Sequence, residues 1–413
     1  MIRKKKLLKL LLIAFLTFTL SIYYIMYVIT NPQTVRIKIY SEIIEEKIQE
    51  KFNNLPDKYK RKSSKVDLIT QNFIKYVQNE HKSTANNVNE LWKEANTWIN
   101  KTQLYSITHK LGYVIDALKN SDILQVGLNP KGTQLKFLLT LEGNQKVVFK
   151  PKRYDREEII NGVVYAGKDR YGSEILSFYL SGLLNRPLVP LSAERKLSIK
   201  KEVIPLATEN FLKTLFIHNN NTCVYGECYY CNIKDPVCAE DGYIYGAVIF
   251  YINYKFKLYP NPWKRTYKKN LLASWETNEH FCKVVTETLN KNRILDLIDV
   301  SILDFLIQNG DRHHYELLND TLIWLDNGKG LGNPFVDHID ILAPLYQCCM
   351  IRNKTLIRLQ ELSGGVLTES IKKMPDVDSF VSYKHLEAIE RRLLLVYATI
   401  ELCNSDKRLV IIK

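Results

Sequence analysis

No internal repeat and no low-complexity tract interrupts the 413 residues, which excludes a repeat architecture. Apolar residues are not scarce, and 46% hydrophobic with 25% charged content excludes a disordered or collagen-like chain. No G-x-G-x-x-G occurs. Gly127 and Gly132 bracket only Asn129-Pro130-Lys131, a poor phosphate-covering loop. No second C-x-x-C or H-x3-H follows Cys228-x2-Cys231 nearby, so a zinc site there would have half its ligands. Asp-x-Asp, the usual metal motif of glycosyltransferases, occurs only as Asp376-Val377-Asp378, after Pro375 and outside any convincing strand. A single basic block is also missing, although Lys+Arg 58 against Asp+Glu 44 leaves a charge of +14. Net charge alone therefore does not point to nucleic acid.

Arg3, Lys4, Lys5, Lys6 and Lys9 lie in the first nine residues, with no acid among them. They precede Leu10 to Ile29, an apolar stretch without a charge. At 1.5 Å per residue it spans about 30 Å, the thickness of a bilayer's hydrocarbon core. The cationic cluster then leaves residues 1–9 cytosolic and sends the rest into the lumen. A cleaved signal peptide is the other reading, but its apolar part would be shorter and end at small residues. Here Tyr23, Tyr24 and Tyr27 crowd the exit, so a single-pass anchor is favoured.

None of the eight cysteines falls in the anchor, and an even number in an oxidising lumen suits disulfides. Sequons at Asn100, Asn220, Asn319 and Asn353 fit a glycoprotein. Residues 30–87 are polar and read as a partly helical stem that holds the rest away from the membrane. Val88, Leu91, Trp92, Ala95 and Ile99 form the stripe of an amphipathic helix. Leu135–Leu141 and Lys146–Lys150 read as strands joined by Glu142-Gly143-Asn144-Gln145. Glu174–Leu184, Ile294–Ile307 and His385–Cys403 read as helices, the second apolar on nearly every side, and Tyr243–Tyr251 as a strand. Strands in the first half and helices in the second give an α+β, two-lobed expectation.

The densest polar cluster is Gly310-Asp311-Arg312-His313-His314-Tyr315-Glu316, directly after the buried helix. Asp326-Asn327-Gly328 comes ten residues after Glu316, behind the strand-like Leu322-Ile323-Trp324-Leu325. Phosphoryl transfer needs an acid at the acceptor hydroxyl, a polar residue five positions on, and a later Asp for metal. Asp311, Glu316 and Asp326 have that order. Lys150, ending Val147-Val148-Phe149-Lys150, fits an upstream strand lysine for the nucleotide phosphates, and Asp169 and Glu174 fit the acid at the following helix. Each part has a bland reading: Asp-Arg-His as a surface turn, His313 and His314 as core histidines or metal ligands, Lys150 as a solvated basic edge. The ordered set is what favours phosphoryl transfer.

At these residues the sequence resembles the secretory-pathway kinase family that includes the Golgi casein kinase and the glycosaminoglycan xylosylkinase. GTQLK, KVVFKPKRY, YAGKDR, NTCVYGECYYC, NPWKRTY, RILDLIDVSILDFLIQNGDRHHYE and ILAPLYQCC carry the resemblance, over roughly residues 88–405. KVVFKPKRY, YAG-x-D-R and ILAPLYQCC look closer to the xylosylkinase branch. One departure is the glycine after Asn in Leu325-Asp326-Asn327-Gly328, more like the protein-kinase branch. The resemblance implies an atypical two-lobed protein-kinase-like domain over 88–413, with the N-lobe at about 88–252 and the C-lobe at about 253–413. Asp311 would be the catalytic acid/base. Lys150 and Gln134 would contact the nucleotide phosphates, with Glu316 beside them. Ile249, Phe250, Tyr251 and Ile252 would lie along the adenine. Asp169 and Asp326 would ligate manganese, or magnesium, and Asp326 would also meet the nucleotide. The implied disulfides are Cys223–Cys238, Cys228–Cys231, Cys282–Cys348 and Cys349–Cys403, which displace zinc.

The resulting expectation is an ATP-dependent, manganese-using kinase of the Golgi lumen, single-pass type II. It would phosphorylate the 2-hydroxyl of xylose in the glycosaminoglycan–protein linkage of proteoglycans, with no nucleic-acid partner. A secretory protein serine kinase is the first alternative, a glycosyltransferase the second, and a catalytically dead partner the third.

Overall fold

The computed structural model describes residues 15–22, 38–62, 68–78, 87–129, 132–268 and 270–413. Most of the expected anchor lies outside these residues. Its described part, 15–22, is helical, with Phe15, Leu16, Phe18, Leu20 and Ile22 exposed. No helix among the described residues is long and apolar enough to cross a membrane.

Helices α1 (Tyr40–Asn53), α2 (Leu68–Gln78), α3 (Val88–Trp98) and α4 (Leu111–Asn120) lead into strands β1 (Ile123–Leu128), β2 (Phe137–Leu141) and β3 (Lys146–Pro151). Then come α5 (Tyr171–Leu183) and β4 (Ser192–Ser198), a small sheet β5 (Leu215–His218), β6 (Asn221–Val224) and β7 (Val237–Cys238), and β8 (Tyr243–Phe250). The main sheet has the order β1-β2-β3-β8-β4, antiparallel throughout. Alternation sets its faces: Phe137, Leu139, Leu141, Val147 and Phe149 are fully buried, and Phe137 pairs with Phe149 in register, rings 5.6 Å apart. The reversal between β2 and β3 uses Gly143 at φ 78°, where the side chain of Trp92 leaves no room for a Cβ.

The second half is mostly helical, with β9 (Lys257–Pro260), α6 (Lys291–Ile307), β10 (His314–Leu318), β11 (Thr321–Ile323), β12 (Met350–Arg352), α7 (Tyr383–Ser405) and β13 (Val410–Ile412) as its landmarks. Helices α1–α4 in the first half and a β9-β10-β11 sheet in the second make the mixture finer than strands-then-helices. Asn290 caps α6 by accepting from the Arg293 N–H at 2.9 Å, and Gln308, at φ 62°, ends it. Its Ile294, Leu297, Ile298, Phe305, Leu306 and Ile307 are all buried, so the helix is a core rod. All eight cysteines pair as the resemblance implied, and none is free. The four sequon asparagines are exposed.

The segment expected to be a stem differs from that expectation where it is described. Ile44, Ile48, Leu55 and Tyr59 are buried, with Tyr59 stacked 4.5 Å from Tyr397 of α7. Phe73 and Val77 of α2 are fully buried, Phe73 resting on the space left by Gly182 in α5. These apolar residues are few and spaced at helical intervals, so composition hides them while geometry collects them on one face.

Docking of α1 has a titratable consequence. Burial, then the nearby Asp340 carboxylate, pushes the Glu45 carboxyl up to about 7. A carboxyl raised on folding stabilises the fold fully below its unfolded value and loses that contribution as pH rises through 7. Glu45→Gln is therefore expected to raise Tm by about 2 °C or more at pH 8 and to leave it unchanged at pH 4.5. A free stem would give no difference at either pH.

Candidate active site

Lys150 is the penultimate residue of β3, and it is 6% exposed. Its ammonium lies 2.6 Å from Glu174 Oε1, 3.1 Å from Asp169 Oδ2 and 3.4 Å from Asp326 Oδ1. Burial opposes the charge, but the three carboxylates outweigh it and hold the lysine well above its ordinary value. Glu174 belongs to the first turn of α5, Asp169 to the loop before it, and Asp326 follows β11. Lys150 in turn, then Lys136 and Arg312, hold the Asp326 carboxyl below its usual range. That carboxylate is 79% accessible. Asp326 has φ 51°, in the left-handed region that aspartate and asparagine adopt more readily than other non-glycine residues.

The next residue locks this loop. Asn327 is fully buried. Its backbone N–H donates to Glu174 Oε1 at 3.1 Å, and its amide donates to Glu174 Oε2 at 3.3 Å. Its amide oxygen accepts from Arg312 at 2.7 Å. Arg312 is itself paired with the buried Asp304 of α6 and donates to the Leu325 carbonyl at 2.7 Å. Gly328 lies so close to Asp169 that a Cβ would come within 2.7 Å of its carboxyl carbon. The glycine noted as a departure thus permits the approach of two carboxylate-bearing segments.

Asp311 lies in the loop between α6 and β10 and faces a cavity lined by Trp263, Arg265, Tyr267, Trp275 and His313. Tyr267 donates its hydroxyl proton to Asp311 Oδ1. Glu316, on β10, is raised by burial and by Asp326, with Arg312 opposing. Gln134 lines one cavity with Lys150, Asp169, Arg153 and Lys168. The Cys228–Cys231 loop closes it, with Tyr230 N–H donating to the Thr133 carbonyl at 3.1 Å. Of the segment expected along the adenine, Ile249 and Tyr251 are partly exposed, whereas Phe250 and Ile252 are buried. Phe250 packs toward Trp92 at 6.2 Å, away from a ligand role for its ring. The Tyr251 N–H is spent on the Lys146 carbonyl at 3.2 Å.

Asp169 and Asp326 are hard-oxygen donors converging on Lys150, a set that suits magnesium or manganese completed by phosphate and water oxygens. Among the described residues no group of three or more His, Cys, Asp or Glu is placed to hold a metal. His313 and His314 contact each other, rings 4.5 Å apart, and gather no acid cluster. Asp376, of the Asp-x-Asp triplet, is engaged by Lys119 at 2.7 Å.

Glu174, which the sequence offers with Asp169 as the acid at the following helix, is the nearest partner of Lys150. Asn327 and Lys136 were missed outright. Lys136 is lowered by burial and by Lys150, with Asp326 and Asp169 opposing, which places it at the same cluster. Its only sequence signal was the lysine of GTQLK, and Asn327's was its place beside Asp326.

A family profile described as Golgi casein kinase, C-terminal, Fam20, matches residues 90–409. The glycosaminoglycan xylosylkinase of Homo sapiens is 42% identical over 329 residues, covering 76% of this chain and 80% of that one. The solved structure of hydra Fam20 with sugar has a TM-score of 0.74 and 39% identity, covering 78% of this chain and 98% of that one. The Golgi casein kinase with Mn/ADP bound gives a TM-score of 0.74 at 26% identity, over 92% and 94%.

Removing one partner of a buried ion pair strands the other. Lys150→Met is expected to lower unfolding stability by about 3–5 kcal/mol. Asp326→Ala, at an exposed carboxylate, should cost under about 1 kcal/mol. Denaturant titration of the two variants compares them; equal losses would mean that Lys150 is not held as described.

Proposed function

The chain belongs to the Fam20 family, and on that premise we propose that it is an ATP-dependent kinase for the xylose of the glycosaminoglycan–protein linkage. The observation that carries this reading is the convergence of Lys150, Asp169 and Asp326 on one charge cluster, with Asp311 held on the loop that Arg312 ties to it. The xylosylkinase name of a relative at 42% identity supports a sugar acceptor, as does the sugar in the hydra Fam20 structure. The Mn/ADP of the Golgi casein kinase structure supports ATP and manganese.

In this reading Lys150 and Gln134 bind the phosphates, and Ile249–Ile252 flank the adenine. Asp169 and Asp326 would hold the cation, which supplies charge neutralisation at the triphosphate. Asp311 orients the xylose 2-hydroxyl and accepts its proton as the oxygen bonds to the γ-phosphorus and the bond to ADP breaks. Glu316 lines the same site, and Arg312 and Asn327 keep the two acid-bearing loops in register.

We place the catalytic part in the Golgi lumen behind a single-pass anchor at Leu10–Ile29. The reading is supported by the basic cluster before that stretch, by four disulfides that suit an oxidising compartment, and by the family's Golgi description.

The full chain with ATP and manganese, offered a Gal-Xyl acceptor beside a Ser-x-Glu peptide, should label the sugar. Label on the peptide alone would make it a protein serine kinase. Asp311→Ala should spare nucleotide binding and lower turnover by about 10²–10⁴-fold. Asp326→Ala should abolish metal-dependent nucleotide binding. Near-normal turnover by Asp311→Ala would end the assignment.

A further inference from the structure

Asp311 carries a hydrogen bond that the chemistry above leaves without a role. The Tyr267 hydroxyl donates to its Oδ1 and lies 3.3 Å from His313 Nδ1. His313 Nδ1 is also 2.8 Å from the Asp311 main-chain oxygen. A carbonyl only accepts, so Nδ1 carries the proton there, and the single proton of Tyr267 is left for the carboxylate. Burial, then the hydrogen bond to Asp311, raises the tyrosine above its ordinary value, so it remains a donor.

Tyr267 is 53% exposed. It is nevertheless held by Tyr165, edge-on at 4.9 Å with an interplanar angle of 68°. Tyr165 belongs to the loop that runs into Asp169. Beside it Val164 fills the space above Gly310, directly before Asp311, and leaves no room for a Cβ there. A continuous line of contacts therefore joins the loop bearing Asp169 to Tyr165, Tyr267 and Asp311.

The terminal torsion of an aspartate is broad, so a carboxylate that must meet one hydroxyl needs an external bond to fix its plane. We propose that Tyr267 is a positioning residue: its O–H holds Asp311 Oδ1 so that Oδ2 is turned to the acceptor hydroxyl. Its ring ties that orientation to the loop carrying Asp169, so the proton acceptor and the cation-binding loop are set together. The inference rests on the kinase reading above and adds to it the residue through which the base is aimed.

Steady-state kinetics of the full chain with ATP, manganese and whichever acceptor the wild type labels would test it. Four proteins are compared: wild type, Tyr267→Phe, Asp311→Asn and the double variant. Tyr267→Phe keeps the ring against Tyr165 and loses only the hydroxyl. Its kcat should fall about 10- to 100-fold, the scale of a small misplacement at a reacting centre. KM for ATP and for the acceptor, and Tm, should stay within error of wild type. In the Asp311→Asn background the same substitution should add less than about a twofold loss, because residues acting as a unit are not additive. Tyr165→Leu, which removes the edge contact, should lower kcat in the same direction but less.

Wild-type kcat in Tyr267→Phe would overturn the inference while leaving the kinase reading intact. So would a loss confined to the acceptor KM, which would make Tyr267 a sugar contact, or losses that multiply in the double variant. A wild type that transfers phosphate to neither acceptor would overturn the kinase reading itself, and the inference with it.

Discussion

A lysine ammonium buried at the end of a strand is the constraint on which the site depends. Water would stabilise Lys150, and the fold removes it, so carboxylates must replace it. Glu174, Asp169 and Asp326 do so from a helix, a loop and the segment after a distant strand. None of them is near Lys150 in the chain. The charge of one residue thus requires that the sheet, α5 and the hairpin β10–β11 be docked in one arrangement.

The requirement is met by a second set of buried polar groups. Asn327 touches Glu174 with its donors and Arg312 with its acceptor, so a neutral amide joins the lysine cluster to the Arg312–Asp304 pair. Arg312 reaches across from the loop bearing Asp311. The loop that offers the base and the loop that offers Asp326 are therefore braced by shared partners, and low dielectric strengthens each bond in the network. The scaffold beneath is apolar, with α6 buried on nearly every side and paired cysteines tying the helical half together. Its rigidity lets the polar parts be placed to within a fraction of an ångström.

Much of this was legible in the chain. Alternation along Phe137–Leu141 and Val147–Phe149 announces strands because the pleat has a period of two. The all-round apolarity of Ile294–Ile307 announces a core helix. Asp311, Glu316 and Asp326 stand out because phosphoryl transfer demands an acid, a polar residue five positions on and a later Asp, in that order. Asn327 and Lys136 did not stand out, since a buried amide clamp and a second ammonium at the cleft have no spacing rule of their own. The docking of helices α1 and α2 was hidden for a different reason. Their buried faces, Ile44 with Ile48 and Phe73 with Val77, are narrow stripes in a polar stretch. Nothing local tells a docked amphipathic helix from a solvated one.

The sequence by itself determined the two strands that lead to Lys150, the core helix before Asp311, which cysteines exist to be paired and which acids and lysine are available for phosphoryl transfer. Those properties follow from periodicity, side-chain chemistry and order along the chain. The tertiary structure alone decided that Glu174 is the nearest partner of Lys150, that Asn327 joins two ion pairs, that Gly328 makes room for Asp169, and that Tyr267 meets Asp311. These are contacts between segments far apart in the chain. Distances of a few ångströms across such separations are set by how the core packs, which no local pattern encodes.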